Sequence, residues 1–221
     1  MNPLPILRDA WYFFSRNLGD IARLCLPLII LENLAQQGAL AWASEASAPT
    51  YQVLIGLLFY PVYSAALILY LDARSRGLRP RARDLLTMAM WLWPTFALLV
   101  GLCTLLIMLG ASLLLLPGLW VMIKLAFAEY LLVLRGLTPL EALKESYRQT
   151  TGHFWTLLFC VLTVMLPLLA LDWWSYPGEG QTANLPFTLL LDSLNGFLLL
   201  FSTVVLFRVF MLLQEPQVND A

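Results

Sequence analysis

The chain has 221 residues, of which 60% are hydrophobic and 12% are charged, and its formal net charge is −1. A soluble domain of this length cannot bury so much apolar surface in one core, so the composition excludes an ordinary soluble globular protein. We predict an all-α integral membrane protein in which lipid surrounds most of the chain.

The three cysteines and the only histidine form no metal-binding or disulfide pattern. Cys25, Cys103 and Cys160 lie singly within apolar runs, and His153 has no second imidazole near it. A zinc site needs several such ligands at close spacing, and a disulfide framework needs paired cysteines. The sequence therefore predicts buried thiols, no metal and no cofactor.

Apolar runs predict six membrane-spanning helices, because a span needs about 20 mostly apolar residues. In chain order the predicted spans cover residues 18–42, 51–71, 91–116, a return that ends at Arg135, 154–174 and 186–213. Pro117-Gly118 joins the third span to the fourth and is typical of the centre of a type II turn.

Three shorter segments combine apolar and charged residues at helical spacing, which is typical of helices that lie in the membrane interface. They cover residues 3–16, a weaker segment that begins at Pro80, and a segment from Thr138-Pro139 to Thr151. The predicted fold is six spans and three interfacial amphipathic helices in one membrane domain, residues 1–213. A short polar tail, residues 214–221, follows it.

The distribution of positive charge predicts the orientation of the spans. Of the thirteen Lys and Arg residues, Lys124 alone lies deep within a predicted span, and the three loops on one side hold none. Under the positive-inside rule both termini are cytoplasmic, and an even number of spans agrees with this.

The interfacial helices share a pattern that indicates three tandem repeats. Leu7-Arg8-Asp9-Ala10-Trp11 matches Leu143-Lys144-Glu145-Ser146-Tyr147 in residue type. The repeats would cover residues 1–76, 77–136 and 137–213. Each would be an interfacial helix followed by a helical hairpin. The alternative is that unrelated interfacial helices converge on one pattern.

Ionisable side chains inside predicted spans are costly and are therefore candidate functional residues. Glu32 in the first span and Lys124 in the fourth both fall near mid-depth, so we expect them to face each other, with Gln36 beside them. The alternative is a structural ion pair that only sets the packing of the helices.

Four further polar positions belong to this candidate intramembrane site. Glu129 lies nearer the cytoplasm, at a depth that Arg23 and Arg208 could reach. Asp192 and Asn195 are three residues apart, so they face one direction on the sixth span. Acidic groups in spans can relay protons, or they can hydrogen-bond a neighbouring helix.

The loop between the second and third spans is rich in arginine. Its five arginines are Arg74, Arg76, Arg79, Arg81 and Arg83. Cations at this position could bind anionic lipid headgroups or a phosphorylated ligand, each contributing about 1 kcal/mol. The alternative is that they act only as a topology signal.

Four motifs lie in the second half of the chain. They are Leu115-Leu116-Pro117-Gly118-Leu119-Trp120, Ala126-Phe127-Ala128-Glu129, Gly152-His153-Phe154-Trp155 and Leu206-Phe207-Arg208-Val209-Phe210-Met211-Leu212-Leu213. Together they resemble the YciC-like family of bacterial inner-membrane proteins, and the layout is similar to the membrane domain of some glycerophosphodiester phosphodiesterases. The resemblance implies a multi-pass protein of the bacterial inner membrane, connected with the cell envelope. It carries over no catalytic residue, and Glu129 stands where the family is expected to have proline.

No known catalytic pattern of nucleophile, metal ligands or acid–base pair is present, so we expect a protein that is not an enzyme. One hypothesis is envelope maintenance, by handling or transporting lipid or a small solute through a polar-lined interior. The alternative is a non-catalytic scaffold or assembly factor that acts through protein partners. The expected partners are membrane lipids with anionic headgroups, a second copy of the chain or an envelope protein; no nucleic acid is expected.

Overall fold

The structure, a computed structural model, describes residues 3–42, 47–175 and 185–219, and the secondary structure in these ranges is entirely helical. The helices are α1 (Pro3–Trp42), α2 (Ala48–Ser75), α3 (Ala82–Leu113), α4 (Leu115–Lys124), α5 (Ala128–Arg135), α6 (Pro139–Thr150), α7 (Phe154–Ser175) and α8 (Leu185–Asn219). The all-α prediction is confirmed for these ranges. Residues 214–219 of the predicted tail continue α8, and 220–221 lie outside the described residues.

Several of these helices are suited to a lipid environment. Four described segments are long and apolar enough to cross a membrane: Ala48–Ser75, Ala82–Ser112, Leu116–Arg135 and Leu189–Gln214. A fifth crossing results if Pro139–Thr150 and Phe154–Ala170, which are bent by 103°, count as one span. The described residues therefore contain four or five segments able to cross a membrane. The count of six and the cytoplasmic termini stay predictions.

The first two predicted interfacial helices are not separate helices. Residues 3–16 form the beginning of α1, which runs unbroken for 40 residues, and the segment after Pro80 is continuous with α3. A continuous helix keeps its backbone N–H and C=O groups paired at the membrane boundary, where a break would leave them without partners. α1 is also not among the four apolar segments; Asp20, Arg23 and Glu32 interrupt its apolar run.

The third predicted interfacial helix, α6, is separate, and its first turn is closed by its own side chains. The backbone N–H and the hydroxyl of Thr138 donate to Glu141 Oε2 at 3.1 and 2.8 Å. α6 buries Ala142, Ser146 and Thr150 against the rest of the bundle. This buried face carries two hydroxyl groups, which distinguishes it from an ordinary apolar face.

α2 is the central helix of the bundle, because it contacts α1, α3, α5 and α8. α1 in turn packs along α8, where aromatic rings meet. The Phe14 ring centroid lies 5.7 Å from that of Phe197 and 5.4 Å from that of Phe201. Two of these helices, α5 and α8, are distant from α2 in sequence and bring their side chains against it.

The connection between α3 and α4 is tighter than the sequence predicted. α3 ends at Leu113, Leu114 is extended, and α4 begins at Leu115. Pro117 and Gly118 therefore lie in the first turn of α4, and the prediction of a type II turn is wrong. Proline is tolerated there because the first backbone N–H groups of a helix have no partner within it.

Gly110 and Gly118 lie where the backbones of α3 and α4 approach most closely. A Cβ added to Gly118 would lie 2.9 Å from the Cα of Ala111, and one added to Gly110 would lie 3.0 Å from the Cα of Gly118. Small residues allow such contact between helices in a membrane. The close approach of this hairpin therefore depends on the absence of side chains at both positions.

Gly118→Ala is expected to destabilise the protein by about 1–3 kcal/mol, because overpacking against backbone atoms forces the hairpin apart. Thermal unfolding of the purified protein in detergent measures the loss. Gly101→Ala is the matched control, since the nearest atom to its new Cβ is the flexible Leu57 Cδ2 at 3.9 Å. An equal loss of stability in both variants would contradict this account of the hairpin.

The start of α6 is expected to depend on pH. The hydrogen bonds donated by the side chain and backbone of Thr138 lower the pKa of the Glu141 carboxyl below its usual value. These hydrogen bonds to the ionised Glu141 stabilise the folded protein. The stabilisation is fully present above the unfolded-state pKa of Glu141 and is lost as the pH falls through its lower folded-state pKa. Hydrogen exchange should therefore show the first turn of α6 opening on acidification. The glutamine of Glu141→Gln can still cap the helix but cannot ionise. In this variant, acidification to the same pH should therefore cause no additional opening of the first turn of α6.

Candidate functional site

A cavity rich in arginine lies between α1, α2 and the loop that leads to α3. Its volume is about 590 Å³. Its polar lining consists of Arg16, Asn17, Asp20 and Arg23 from α1, Tyr70 and Arg74 from α2, and Arg79 from the loop. We call this cavity the arginine pocket. Four guanidinium groups against the one carboxylate of Asp20 leave an excess of three positive charges.

Arg74 is held in place by α1. Its Nε and Nη2 atoms donate to Asn17 Oδ1 at 3.2 and 2.7 Å. Asn17 is buried, and its own Nδ2 donates to the Phe13 carbonyl at 2.8 Å. The Tyr70 hydroxyl lies 3.2 Å from Asp20 Oδ2, so the acidic group is also fixed to α2. The pocket therefore has a preorganised wall.

None of the four pocket arginines has a carboxylate partner among the described residues. The ion pairs among all the described residues are Arg76–Asp72, Arg148–Glu145 and Arg208–Asp9. The Arg16 guanidinium instead lies over the Tyr12 ring and donates a hydrogen bond to the Tyr12 hydroxyl at 2.7 Å. Several guanidinium groups without an ion-pair partner, gathered at one cavity with a single carboxylate, are an arrangement that favours an anionic ligand.

The sequence located part of this pocket. Of the five predicted arginines, Arg74 and Arg79 line it, whereas Arg76 pairs with Asp72 at 3.0 Å. The other two, Arg81 and Arg83, are exposed and are not part of the lining.

Sequence reasoning missed the α1 half of the pocket, which supplies Arg16 and Arg23. Their spacing of seven residues places them on one face of a helix, so the signal was present. What the sequence does not contain is the contact of that face with Arg74.

The fourth predicted span is broken, and α6 supplies the missing backbone partners. The turn over residues 125–127 separates α4 from α5. The Ser146 hydroxyl donates to the Lys124 carbonyl at 2.8 Å, and the Phe127 N–H donates to Ser146 Oγ at 3.1 Å. The Thr150 hydroxyl lies 3.3 Å from the same carbonyl. A break at membrane depth is tolerated only when neighbouring side chains satisfy the freed groups in this way.

Lys124 and Glu32 do not meet, contrary to expectation. Lys124 is buried at the end of α4, where its Nζ donates to Thr151 Oγ1 at 3.0 Å. Its ammonium group also lies 4.8 Å from the ring centroid of Tyr147 and 5.8 Å from that of Trp120. The break in the span directs this side chain to α6 and away from α1.

Glu129 is held by α2 and is not paired with arginine. The Tyr60 hydroxyl lies 2.9 Å from Oε1, and the Ser64 hydroxyl donates to Oε2 at 3.0 Å. Arg208, one of the two expected partners, lies 3.5 Å from Asp9 instead. The expected ion pair is therefore absent, because α5 packs against the hydroxyl-bearing face of α2.

Glu32 is also held by neutral groups. It is buried, and Gln36 Nε2 donates to its Oε1 at 3.3 Å. Tyr63 of α2 lies beside the same carboxyl. The tyrosines and serines of α2 were not among the predicted site residues, because uncharged residues in a span give no signal in one sequence.

The two predicted polar positions of α8 differ in exposure. Asp192 is exposed and Asn195 is half-buried. Between them, Ser193 is buried and accepts a hydrogen bond from Asn33 Nδ2 at 3.1 Å, which joins α8 to α1.

Residues 85–213 match the family described as Domain of unknown function (DUF7847), which is more than half of the chain. The chain belongs to this family. No curated protein and no solved structure matches it. The matched region contains the broken span, α6 and Glu129. The four pocket arginines all precede it, so the arginine pocket is a feature of the part of the chain outside the match.

Ser146→Ala is expected to destabilise the protein by about 1–3 kcal/mol, because it leaves the Lys124 carbonyl and the Phe127 N–H without their partner. Thermal unfolding in detergent measures the change. Ser202→Ala is the control, since its hydroxyl bonds only to the Leu199 carbonyl of its own helix. Equal stability of the two variants would show that the break does not depend on α6.

Proposed function

We propose that the protein is a bacterial inner-membrane protein of cell-envelope maintenance that binds the anionic headgroup of a membrane phospholipid in the arginine pocket. The observation that carries this proposal is the group formed by Arg16, Arg23, Arg74 and Arg79, which surround one cavity without a carboxylate partner. The YciC-like resemblance supports the membrane assignment, and no enzymatic activity is proposed.

The chemistry of the pocket suits a phosphate group. A guanidinium group can donate two parallel hydrogen bonds to phosphate oxygens, and several such groups around one phosphate neutralise its charge. The volume of about 590 Å³ is within the usual range for small-molecule sites. Positive residues at the end of a span also lie at the depth of the cytoplasmic headgroups.

We infer that ligand handling takes place at this pocket and not along the bundle interior. None of Glu32, Gln36, Lys124 and Glu129 lines the arginine pocket. Each of them has a hydrogen-bond partner within the protein. Groups that satisfy each other need no polar solute, so transport of lipid or a small solute through the interior has less support than headgroup binding.

A non-catalytic scaffold is the second candidate, and the same internal pairing favours it. A bundle whose polar groups bind each other is rigid, and it can present its surface helices to a protein partner or to a second copy of the chain. In that case the arginines would attach the scaffold to anionic lipid without selecting one headgroup. The two functions therefore differ in whether the pocket, or only its net charge, determines lipid binding.

Arg79→Gln is expected to weaken binding of phosphatidylglycerol about fivefold, since each cation near a lipid surface contributes about 1 kcal/mol. Native mass spectrometry of the full chain, titrated with short-chain phosphatidylglycerol, measures the affinity. The matched control is Arg83→Gln, because Arg83 lies four residues further along, at the start of α3, and is outside the pocket lining.

A loss of affinity in Arg79→Gln alone supports headgroup binding in the pocket. An equal loss in both variants would favour the scaffold, because binding would then follow total charge. Inorganic phosphate as a competitor tests the ligand class: it should displace the lipid if the phosphate group is what the pocket recognises.

A further inference from the structure

Two carboxyl groups, one buried and one half-buried, lie inside the bundle without a basic partner. Glu129 lies on α5. Glu32 lies on α1, and 8% of its surface is exposed. Neither forms an ion pair with Lys or Arg within 4.0 Å among the described residues. Ionised groups inside a membrane are normally paired, so these two carboxyls require another explanation.

The surroundings of Glu129 contain donors but no cation. From α2, the Tyr60 and Ser64 hydroxyls both reach its carboxylate oxygens. From α3, Cys103 faces the same group, and Tyr130 adjoins it on α5. The titratable groups packed around Glu129 are thus tyrosine and cysteine side chains, which are neutral at physiological pH.

The surroundings of Glu32 are of the same kind. Gln36 donates to it from the next turn of α1, and Tyr63 of α2 lies beside it. Cys25 of α1 lies at the same level, with its Sγ 3.9 Å from the Tyr63 carbonyl oxygen. No Lys or Arg of the described residues contributes to either environment.

One helix joins the two carboxyl groups. Tyr60 and Tyr63 are one turn apart on α2, and their ring centroids lie 5.5 Å apart at an interplanar angle of 79°. Tyr60 bonds to Glu129, and Tyr63 lies beside Glu32. Two adjoining aromatic side chains therefore stand between the two carboxyl groups.

Two opposing effects act on each carboxyl group. The apolar surroundings disfavour the ionised form, because no cation compensates for the lost hydration. The hydrogen-bond donors, which are hydroxyl groups at Glu129 and the Gln36 amide at Glu32, favour the same ionised form, because they bond most strongly to a carboxylate. A group placed between these effects can exist both with and without a proton, as the acid–base groups of membrane proton carriers must.

We propose that Glu129 is a proton-binding site inside the bundle and that Glu32 is a second site coupled to it through Tyr60 and Tyr63. On uptake, a hydronium ion gives its proton to a carboxylate oxygen of Glu129, an O–H bond forms, and water is left. The tyrosine hydroxyls keep their own protons. This site is separate from the arginine pocket, and the inference does not depend on headgroup binding.

Infrared difference spectroscopy of the full chain in lipid nanodiscs tests the proposal directly. Spectra are compared between mildly acidic and mildly alkaline buffer, and the signal is the C=O stretch of a protonated carboxylic acid. We expect a band that disappears on alkalinisation, is missing in Glu129→Gln and shifts in frequency in Tyr60→Phe, which removes one donor. Asp84→Asn, which alters an exposed carboxyl at the start of α3, should leave the band unchanged.

The coupling has its own readout. Glu32→Gln should shift the pH at which the Glu129 band changes, because it removes the second titrating group. An unchanged midpoint in Glu32→Gln would overturn the coupling. The absence of any band that depends on both pH and Glu129 would overturn the proton site itself.

A structural role alone predicts a different result. If Glu129 only holds α5 to α2, Glu129→Gln should change stability, and the wild-type spectra should contain no titrating carboxylic acid. Should Glu129→Gln fail to fold, Tyr60→Phe and Ser64→Ala retain the carboxyl, and a shift of the band in both variants supports the proposal. No shift in either variant contradicts it.

Discussion

The architecture depends on one constraint of the membrane interior, which is that every backbone polar group needs a partner. The span Leu116–Arg135 violates this locally at residues 125–127, and the Ser146 hydroxyl repairs it by bonding to both sides of the break. α6 is therefore a structural component of the span and more than a surface helix. The break also sets the directions of the two charged residues beside it: Lys124 points to α6, and Glu129 lies in the first turn of α5 against α2.

The second organising contact is the packing of α1 along α2. It brings the buried Asn17 to Arg74 and so aligns the arginine face of α1 with the arginine loop. Deeper in the bundle, the same pair of helices brings Glu32 to Tyr63. The interface between α1 and α2 thus builds both the arginine pocket and the surroundings of Glu32, so the two candidate sites share these helices.

Charged residues gave the strongest sequence signals. They indicated correctly which positions in the spans are polar, but they did not indicate which residues those side chains contact. Glu32, Lys124 and Glu129 were recognised as buried polar residues of the spans, but each binds neutral groups: tyrosine, serine, glutamine or threonine. Depth along a span follows from counting residues, because the helix rise is constant. The direction of a side chain depends on rotation and on breaks. The break at 125–127 contains no proline or glycine that would mark it.

The sequence by itself determined that the chain is helical and has apolar segments long enough to cross a bilayer. The reason is that bilayer thickness sets the length of apolar run that a spanning helix requires. It also located the arginine loop. Only the tertiary structure decided that Arg16 and Arg23 join Arg74 and Arg79 at one cavity, and that Tyr60 and Tyr63 stand between two carboxyl groups. The physical reason is that hydrophobic patterning specifies which residues avoid water, whereas pairing between helices depends on contacts between parts of the chain that are distant in sequence.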